Sequence, residues 1–176
     1  MRRLRYNVAA SLDGFIASPD GSTDWIVEDS TINFDALYAE FDFFVMGRKT
    51  YEVMQNLGGP LFKRQKQEVI VASRTMKQQD FPDITVIQAG TIDYIRQLKC
   101  TEGKDIWLMG GGQLAAQCLE ANLVDTIEVA IMPVLLGAGI NLVSCLPQNK
   151  RLYLSNTTKL SSGILMTQYT VIPSQQ

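Results

Sequence analysis

The stretch Ile106-Trp107-Leu108-Met109-Gly110-Gly111-Gly112-Gln113 decides the fold. An apolar run of strand length passes through three consecutive glycines into a segment with Leu114, Ala115, Cys118 and Leu119 at helical spacing. Consecutive glycines carry a large entropy penalty, so something must demand them. One demand is a tight turn that packs the helix closely on the sheet. The other is an anion, most naturally a pyrophosphate, resting on free amides at the helix N-terminus where no Cβ obstructs it. Gly110 to Ala115 also matches the G-x-G-x-x-A dinucleotide pattern. That pattern belongs after a first strand, whereas here strand-like sequence follows it, so the match argues for a nucleotide site and against a Rossmann fold.

Working outward, two more strand-to-helix junctions have the same character. Phe43 to Met46 is a short apolar strand that Gly47 breaks, and Arg48, Lys49 and Thr50 open a helix carrying Tyr51, Met54 and Leu57, with Gly58 as its stop. Basic side chains oppose the positive end of a helix dipole unless an anion sits there or water solvates them. Arg supplies a planar fork suited to phosphate. Residues 68–72 form a further strand ending in Ser73-Arg74, read either as a surface loop or as a third anion contact. Ligands of open α/β sheets collect at such strand ends, and the three junctions together fit an extended, multiply phosphorylated nucleotide.

The remaining elements alternate. Residues 4–10 suit a buried strand, and 11–23 are loop-rich, with turn signals at Asp13-Gly14 and Pro19-Asp20-Gly21. A helix is predicted from about Thr31, capped by Ser30 or Thr31, with Phe34, Leu37, Tyr38 and Phe41 on one face. Residues 84–87 read as a strand, and Thr91 caps a helix bearing Ile92, Ile95 and Leu98. Residues 125–132 alternate as a half-exposed strand, and 152–160 and 164–171 flank Ser161-Ser162-Gly163 as a terminal hairpin. The expectation is one α/β domain over residues 1–176: three layers, a mixed central sheet with helices on both faces, and an antiparallel C-terminal hairpin.

Composition bounds the chemistry. The chain has 176 residues, 46% hydrophobic and 19% charged, with a formal net charge of -2. This is globular composition, and it gives no basic field for nucleic acid or an anionic membrane. A basic start, Met1-Arg2-Arg3-Leu4-Arg5, is interrupted by Asn7, Ser11 and Asp13 before any signal-type apolar region develops. Cys100, Cys118 and Cys145 lack metal spacing and read as small core residues in a reducing compartment, so a cytoplasmic setting is the default. No histidine is present, which removes Ser-His-Asp and Cys-His catalysis and the commonest zinc ligand sets. Chemistry must then run on carboxylates, Lys or Tyr, or on a cofactor.

Val8-Ala9-Ala10-Ser11-Leu12-Asp13-Gly14-Phe15-Ile16-Ala17 resembles the opening of the dihydrofolate reductase-like superfamily, in the branch related to the riboflavin-biosynthesis reductase domain. Met46 to Glu52 resembles its G-R-x-T-x-E element, and Leu108 to Gly112 its strand and glycine turn. Residues 125–139, closing on Pro133-Val134-Leu135-Leu136-Gly137-Ala138-Gly139, resemble the following strand and its P-x-x-x-G-x-G exit. The resemblance implies a sheet of about eight strands with NADPH lying across the strand ends. Gly47, Arg48, Lys49 and Thr50 would contact the cofactor phosphates, Gly110, Gly111, Gly112 and Gln113 the pyrophosphate, and Ser73 and Arg74 the adenosine 2′-phosphate. Ala10 and Ile16 would bracket the nicotinamide. The implied reaction is hydride transfer to a C=N or C=O carbon of a small-molecule substrate of pterin, pyrimidine or carbonyl type, by a homodimer.

Two departures concern the substrate half. Phe15 stands where the riboflavin reductases carry a lysine after Asp-Gly, and Ser30 stands five positions beyond Trp25, where folate enzymes place a carboxylate. Asp29 substitutes for that carboxylate or decorates the helix start. Asp13 is the candidate proton donor beside the nicotinamide, or else an Asp-Gly turn residue bonding its own backbone. Trp25 stacks on a flat ring or closes the loop over the core, and Leu57 and Phe62 form an apolar wall or ordinary core. These departures keep a second reading open: a non-catalytic nucleotide-binding protein that retains only the cofactor cradle.

Overall fold

Strand alternation along Phe41–Gly47 sends Val45 to one face of a sheet and Phe44 and Met46 to the other, and the two faces build two separate cores. The computed structural model describes residues 1–56 and 67–173. The calls made above on Leu57, Gly58 and Phe62 lie outside them. In chain order the strands are β1 (Leu4–Ser11), β2 (Phe15–Ala17), β3 (Phe41–Gly47), β4 (Glu68–Ala72), β5 (Thr85–Ile87), β6 (Asp105–Gly110), β7 (Val124–Met132), β8 (Ile140–Asn141), β9 (Leu152–Lys159) and β10 (Leu165–Val171). The helices are α1 (Phe34–Tyr38), α2 (Arg48–Asn56), α3 (Thr91–Lys99) and α4 (Gly112–Glu120).

The eight-stranded sheet has the order β5-β4-β3-β6-β1-β7-β10-β9, with β2 and β8 pairing apart from it. Neighbours from β5 to β7 run parallel, while β10 is antiparallel to both β7 and β9. One core sets Leu4, Tyr6, Val45, Leu108 and Val129 against Ile95 of α3 and Leu114, Ala115 and Cys118 of α4. The other sets Phe44, Met46, Val71 and Trp107 against Tyr38 of α1 and Tyr51 of α2. Helices thus cover both faces, as the alternating sequence predicts. No helix among the described residues is long and apolar enough to cross a membrane.

Four local expectations are corrected. Of the three cysteines only Cys118 is a core residue, while Cys100 and Cys145 are exposed. The first helix begins at Phe34, not near Thr31, because the Thr31 amide is held by the Asp29 carboxylate at 2.9 Å and the cap is Asn33, which accepts from the Ala36 amide at 3.0 Å. Phe41 belongs to β3 rather than to that helix, and it is buried against Trp107. Thr91 is the first residue of α3 and not its cap; Gly90 precedes it in a left-handed conformation without a side-chain cap bond.

The feature that matters most for function is where β1 and β6 part. Their ladder runs only from Leu4 opposite Ile106 to Tyr6 opposite Leu108, whereas β1 stays paired with β7 as far as Ser11. Trp107 marks the divergence by donating its indole N–H to the Asn7 carbonyl at 2.7 Å. Beyond it β6 turns to β3, pairing Gly110 with Met46, and a cleft opens between the carboxyl ends of β1 and β6.

Candidate active site

The carboxyl ends of β3, β4, β5 and β6 surround a cavity of about 720 Å³. Gly47, Arg48, Lys49 and Thr50 line it from the β3–α2 junction, Ser73 and Arg74 from the end of β4, and Gly111 and Gln113 from the start of α4. The three junctions singled out in the sequence therefore share one cavity. A fourth was missed there: Gln88, Gly90, Thr91 and Ile92, between β5 and α3, line the same space. Its visible signal was Ala89-Gly90-Thr91 directly after a strand, the same strand–glycine–helix pattern as at Gly47 and Gly110.

Two helices present free amides to this cavity. The first intrahelical bond of α4 is from the Ala115 amide to the Gly111 carbonyl at 3.1 Å, so Gly112, Gln113 and Leu114 have no acceptor within the helix. Neither α3 nor α4 has a side-chain cap bond. Donors and the positive dipole ends thus converge, an arrangement suited to phosphate oxygens.

The glycines divide by what surrounds them. A Cβ on Gly112 would overlap the Asn141 carbonyl, so that glycine is demanded by packing. Gly110 has φ +124°, a conformation that favours glycine. Gly47 and Gly111 meet no such demand: the nearest atom to a Cβ on Gly47 is the Gly111 nitrogen at 3.9 Å, and a Cβ on Gly111 would lie 3.7 Å from the Thr50 hydroxyl oxygen. Both would project into space that the protein leaves open. The packing reading of the glycine turn therefore holds at Gly112, while Gly111 keeps open space beside it.

The cations differ in availability. Arg48 pairs with Glu52 at 2.5 Å, one turn along α2. Lys49 and Arg74, both exposed at the cavity rim, make no ion pair among the described residues. Ser73 is buried, and its hydroxyl oxygen accepts from the Met76 amide at 3.1 Å and the Thr75 amide at 3.3 Å. It shapes the turn that presents Arg74, and its hydroxyl also lies 3.4 Å from the Thr75 hydroxyl, with either oxygen able to donate.

At the cleft, Ile16 Cδ1 lies 4.0 Å from where a side chain on Gly110 would begin. Ala10 is 2% exposed and faces the core, so only its backbone is available to any ligand. The Arg3 carbonyl accepts from Ile106 of β6, and the Leu12 amide donates to Val134 beyond β7. Alternation along β1 therefore turns the N–H and C=O of Ala9, not those of Ala10, towards the open side. The open backbone groups at the cleft are thus those of Ala9, next to Ala10.

The substrate side is arranged differently from the expectation. The Asp13 carboxylate accepts from Ser11 Oγ at 2.6 Å, the Leu136 amide at 3.1 Å and the Gly137 amide at 2.7 Å. The Ser11 hydroxyl, followed by these amides, holds its pKa down at about 2. Asp29 is likewise held at about 2, by the neighbouring Ser162 hydroxyl first and then by the Thr31 hydroxyl and amide. Acids this strong are ionised at neutral pH, so each carboxylate serves there as an acceptor. Among the described residues Trp25 Nε1 is buried outside hydrogen-bond geometry with any partner, and the Asp29 and Ser162 oxygens are neighbours without reaching that geometry. Asp29 and Ser162 bring the loop before α1 against the β9–β10 turn.

The family model for the RibD C-terminal domain matches residues 2–166. The uncharacterized Bacillus subtilis protein YwjB is 30% identical over 93% of this chain and 95% of its own length. A Shewanella sp. PV-4 protein linked to riboflavin biosynthesis superposes with a TM-score of 0.82 at 24% identity, covering 98% of this chain and all of that one. The Thermotoga maritima diaminohydroxyphosphoribosylaminopyrimidine deaminase/5-amino-6-(5-phosphoribosylamino)uracil reductase superposes with a TM-score of 0.69 at 15% identity. That match covers 97% of this chain but 57% of the bifunctional enzyme.

Proposed function

The chain belongs to the RibD C-terminal domain family, and from that membership we propose that it is an NADPH-dependent reductase acting on a small pterin-, pyrimidine- or carbonyl-type compound. The observation that carries the proposal is the single cavity shared by the strand–helix junctions, where Gly47 and Gly111 leave room that a Cβ would fill and two unpaired cations stand at the rim. These residues fit a dinucleotide phosphate. Gly111, Gln113 and the α4 amides would hold the pyrophosphate, Thr50 and Lys49 a flanking oxygen, and Arg74, presented by the Ser73 turn, the 2′-phosphate. The ring end would enter the β1–β6 cleft between Ile16 and the Ala9 backbone.

When bound, NADPH supplies a hydride that adds to a C=N or C=O carbon, while a proton from water completes the reduced nitrogen or oxygen. The chain contributes orientation and exclusion of water rather than a nucleophile.

The test is a fluorescence titration with NADPH and with NADH, repeated on Arg74→Ala. We expect tight NADPH binding, weaker NADH binding and loss of the difference in the variant. No binding of either nucleotide would reduce the family likeness to one of fold. A second reading, a nucleotide-binding protein without turnover, is favoured by Phe15 in place of the lysine and by the ionised state of both candidate carboxyls. Sustained NADPH oxidation with any acceptor eliminates it.

We also propose a homodimer formed through the C-terminal hairpin. The edge strand β9 is exposed along its whole length, and Leu152, Tyr153, Leu154 and Leu165 show large apolar surface on this hairpin. Light scattering should give twice the chain mass for the native protein and the single-chain mass for Leu154→Lys.

A further inference from the structure

The segment 133–142 after β7 is fixed along its length to two parts of the site. On one side it holds the first loop. Val134 accepts the Leu12 amide at 2.9 Å, the Leu136 and Gly137 amides bind the Asp13 carboxylate, and the Leu142 amide donates to the Gly14 carbonyl at 2.8 Å. β8 pairs with β2, and a Cβ on Gly139 would overlap the Ala17 carbonyl. On the other side the same segment buttresses α4. The Asn141 carbonyl occupies the space a Gly112 side chain would need, and the Ser144 amide donates to the Gly112 carbonyl at 3.1 Å. From below, the fully buried Tyr6 donates its hydroxyl to the Leu142 carbonyl at 2.6 Å.

We propose that this segment is a strut and that Asp13 is the positioning residue that locks it, setting Ile16 against the Gly110 turn. The inference rests on the NADPH reading above for what is positioned, the ring end of the nucleotide, but not for the strut itself. The geometry explains why Asp13 is an acceptor rather than an acid. Its oxygens face the Ser11 hydroxyl and the Leu136 and Gly137 amides, a set of donors on two segments that only an anion satisfies at once. Asparagine keeps one acceptor but turns an NH₂ group towards those donors, and alanine removes the clamp. With the clamp gone, β2 keeps its two strand pairs, the Gly14 carbonyl bond and the Phe15 amide's bond to Ser11 Oγ at 3.0 Å, but loses its tie to Leu136 and Gly137, and Ile16 loses its fixed distance from Gly110.

The experiment follows amide hydrogen exchange by NMR in the wild type, Asp13→Asn and Asp13→Ala, each without nucleotide. We expect Leu136 and Gly137 to exchange about tenfold faster in both variants, with β2 following, while amides of α3 and α4 keep their protection and show that the fold persists. Adding NADPH then reads the positioning. In Asp13→Asn the affinity should stay within about twofold, because the phosphate contacts lie elsewhere, while the nuclear Overhauser contact between the nicotinamide C4 hydrogen and the Ile16 δ-methyl is lost. Unchanged exchange at Leu136, Gly137 and β2, or an unchanged contact to Ile16, overturns the proposal. If the wild type binds no NADPH, the reading of the cavity fails and the exchange comparison alone decides the strut.

Discussion

Gly47 and Gly111 face one another across the mouth of the cavity, with 3.9 Å between the Gly111 nitrogen and the position a Gly47 Cβ would take. Neither glycine has φ in the left-handed region, and neither is pressed by a backbone atom. Gly112, one residue on, is pressed hard by the Asn141 carbonyl. Adjacent glycines thus differ: the fold requires Gly112 and leaves open space beside Gly111.

That contrast gives the first prediction. Gly47→Ala should leave thermal stability within about 0.5 kcal/mol of the wild type, since no protein atom is displaced. It should weaken NADPH by about tenfold or more by placing a methyl where a phosphate must approach the backbone. Gly112→Ala should do the reverse in order of cause, losing about 1–3 kcal/mol of stability from overpacking even without nucleotide. Paired melting curves and titrations separate the two, and a marked stability loss in Gly47→Ala would show that its space is needed by the protein itself.

The second prediction concerns Arg48, whose guanidinium is engaged by Glu52 at 2.5 Å. Both side chains are substantially exposed, so the pair contributes at most about 0.5 kcal/mol to the helix. Glu52→Gln removes a negative charge one turn from the cavity and frees Arg48 for an anion. Nucleotide affinity should rise by about two- to fivefold at low salt, and the gain should shrink as salt is raised. An affinity that falls in Glu52→Gln would mean that the pair, rather than the free cation, is the binding form.

The parts of this architecture that sequence reveals are those with long apolar runs or repeated punctuation. β1, β3, β4, β6 and β7 carry such runs, and a glycine or a hydroxyl at each exit from β3, β4 and β6 pointed to one cavity. What stayed hidden depends on contacts between distant segments. β2 and β8 span three and two residues, too short for any period to register, and they exist because Gly139 and Gly112 let the chain thread between the first loop and α4. Ser73 matched a phosphate contact by position, yet its oxygen is first a turn cap for Thr75 and Met76. Asp13 reads in the sequence as a proton donor or a turn residue, and its donors at Leu136 and Gly137, far along the chain, are visible only in the fold. Only the parting of β1 from β6 shows that the backbone groups left open beside Ala10 are those of Ala9.

The third prediction is a pH dependence. Asp13 and Asp29 are each lowered from 3.8 to about 2, so the folded state binds fewer protons than the unfolded state between those values. Their contribution to stability is complete above about pH 4 and is lost as the pH falls towards 2. Carboxyl carbon shifts should titrate near 2 for both residues. Stability should drop through that window, with a shallower drop in Asp13→Asn. Above pH 5 neither group changes charge, so a reductase rate should show no acidic limb arising from them. A limb near pH 5–6 that vanished in Asp29→Asn would restore Asp29 as a proton donor.

The fourth prediction tests the opposite end of the sheet, where Arg5 is buried with its charge intact. Its Nε and Nη2 donate to the two oxygens of Glu128 at 2.7 and 2.8 Å, and its guanidinium carbon lies 4.6 Å from the centre of the Phe41 ring. Glu40 and Asp105 add weaker support, the latter at 3.5 Å. The Arg5 side chain is 8% exposed and that of Glu128 12%, so neither partner can turn to water when the other is removed. Glu128 is also bound by Asn7 at 2.9 Å and Thr126 at 3.1 Å, which holds the carboxylate in the plane of the fork. Removing Glu128 as alanine should therefore destabilise the chain by about 3 kcal/mol, the penalty for stranding a buried cation, with Glu40 and Asp105 limiting the loss. Glu128→Gln keeps the shape and one acceptor but gives up the charge and turns an NH₂ group towards the Arg5 or Asn7 donors, so a loss of similar size is expected. Because Arg5 lies near the start of β1 and the cavity at the carboxyl ends of the strands, both variants should bind NADPH as the wild type does well below their melting temperatures. Denaturant unfolding checks the first part and a titration the second. Weakened nucleotide binding in a fully folded Glu128→Gln would mean that the two ends of the sheet are energetically coupled.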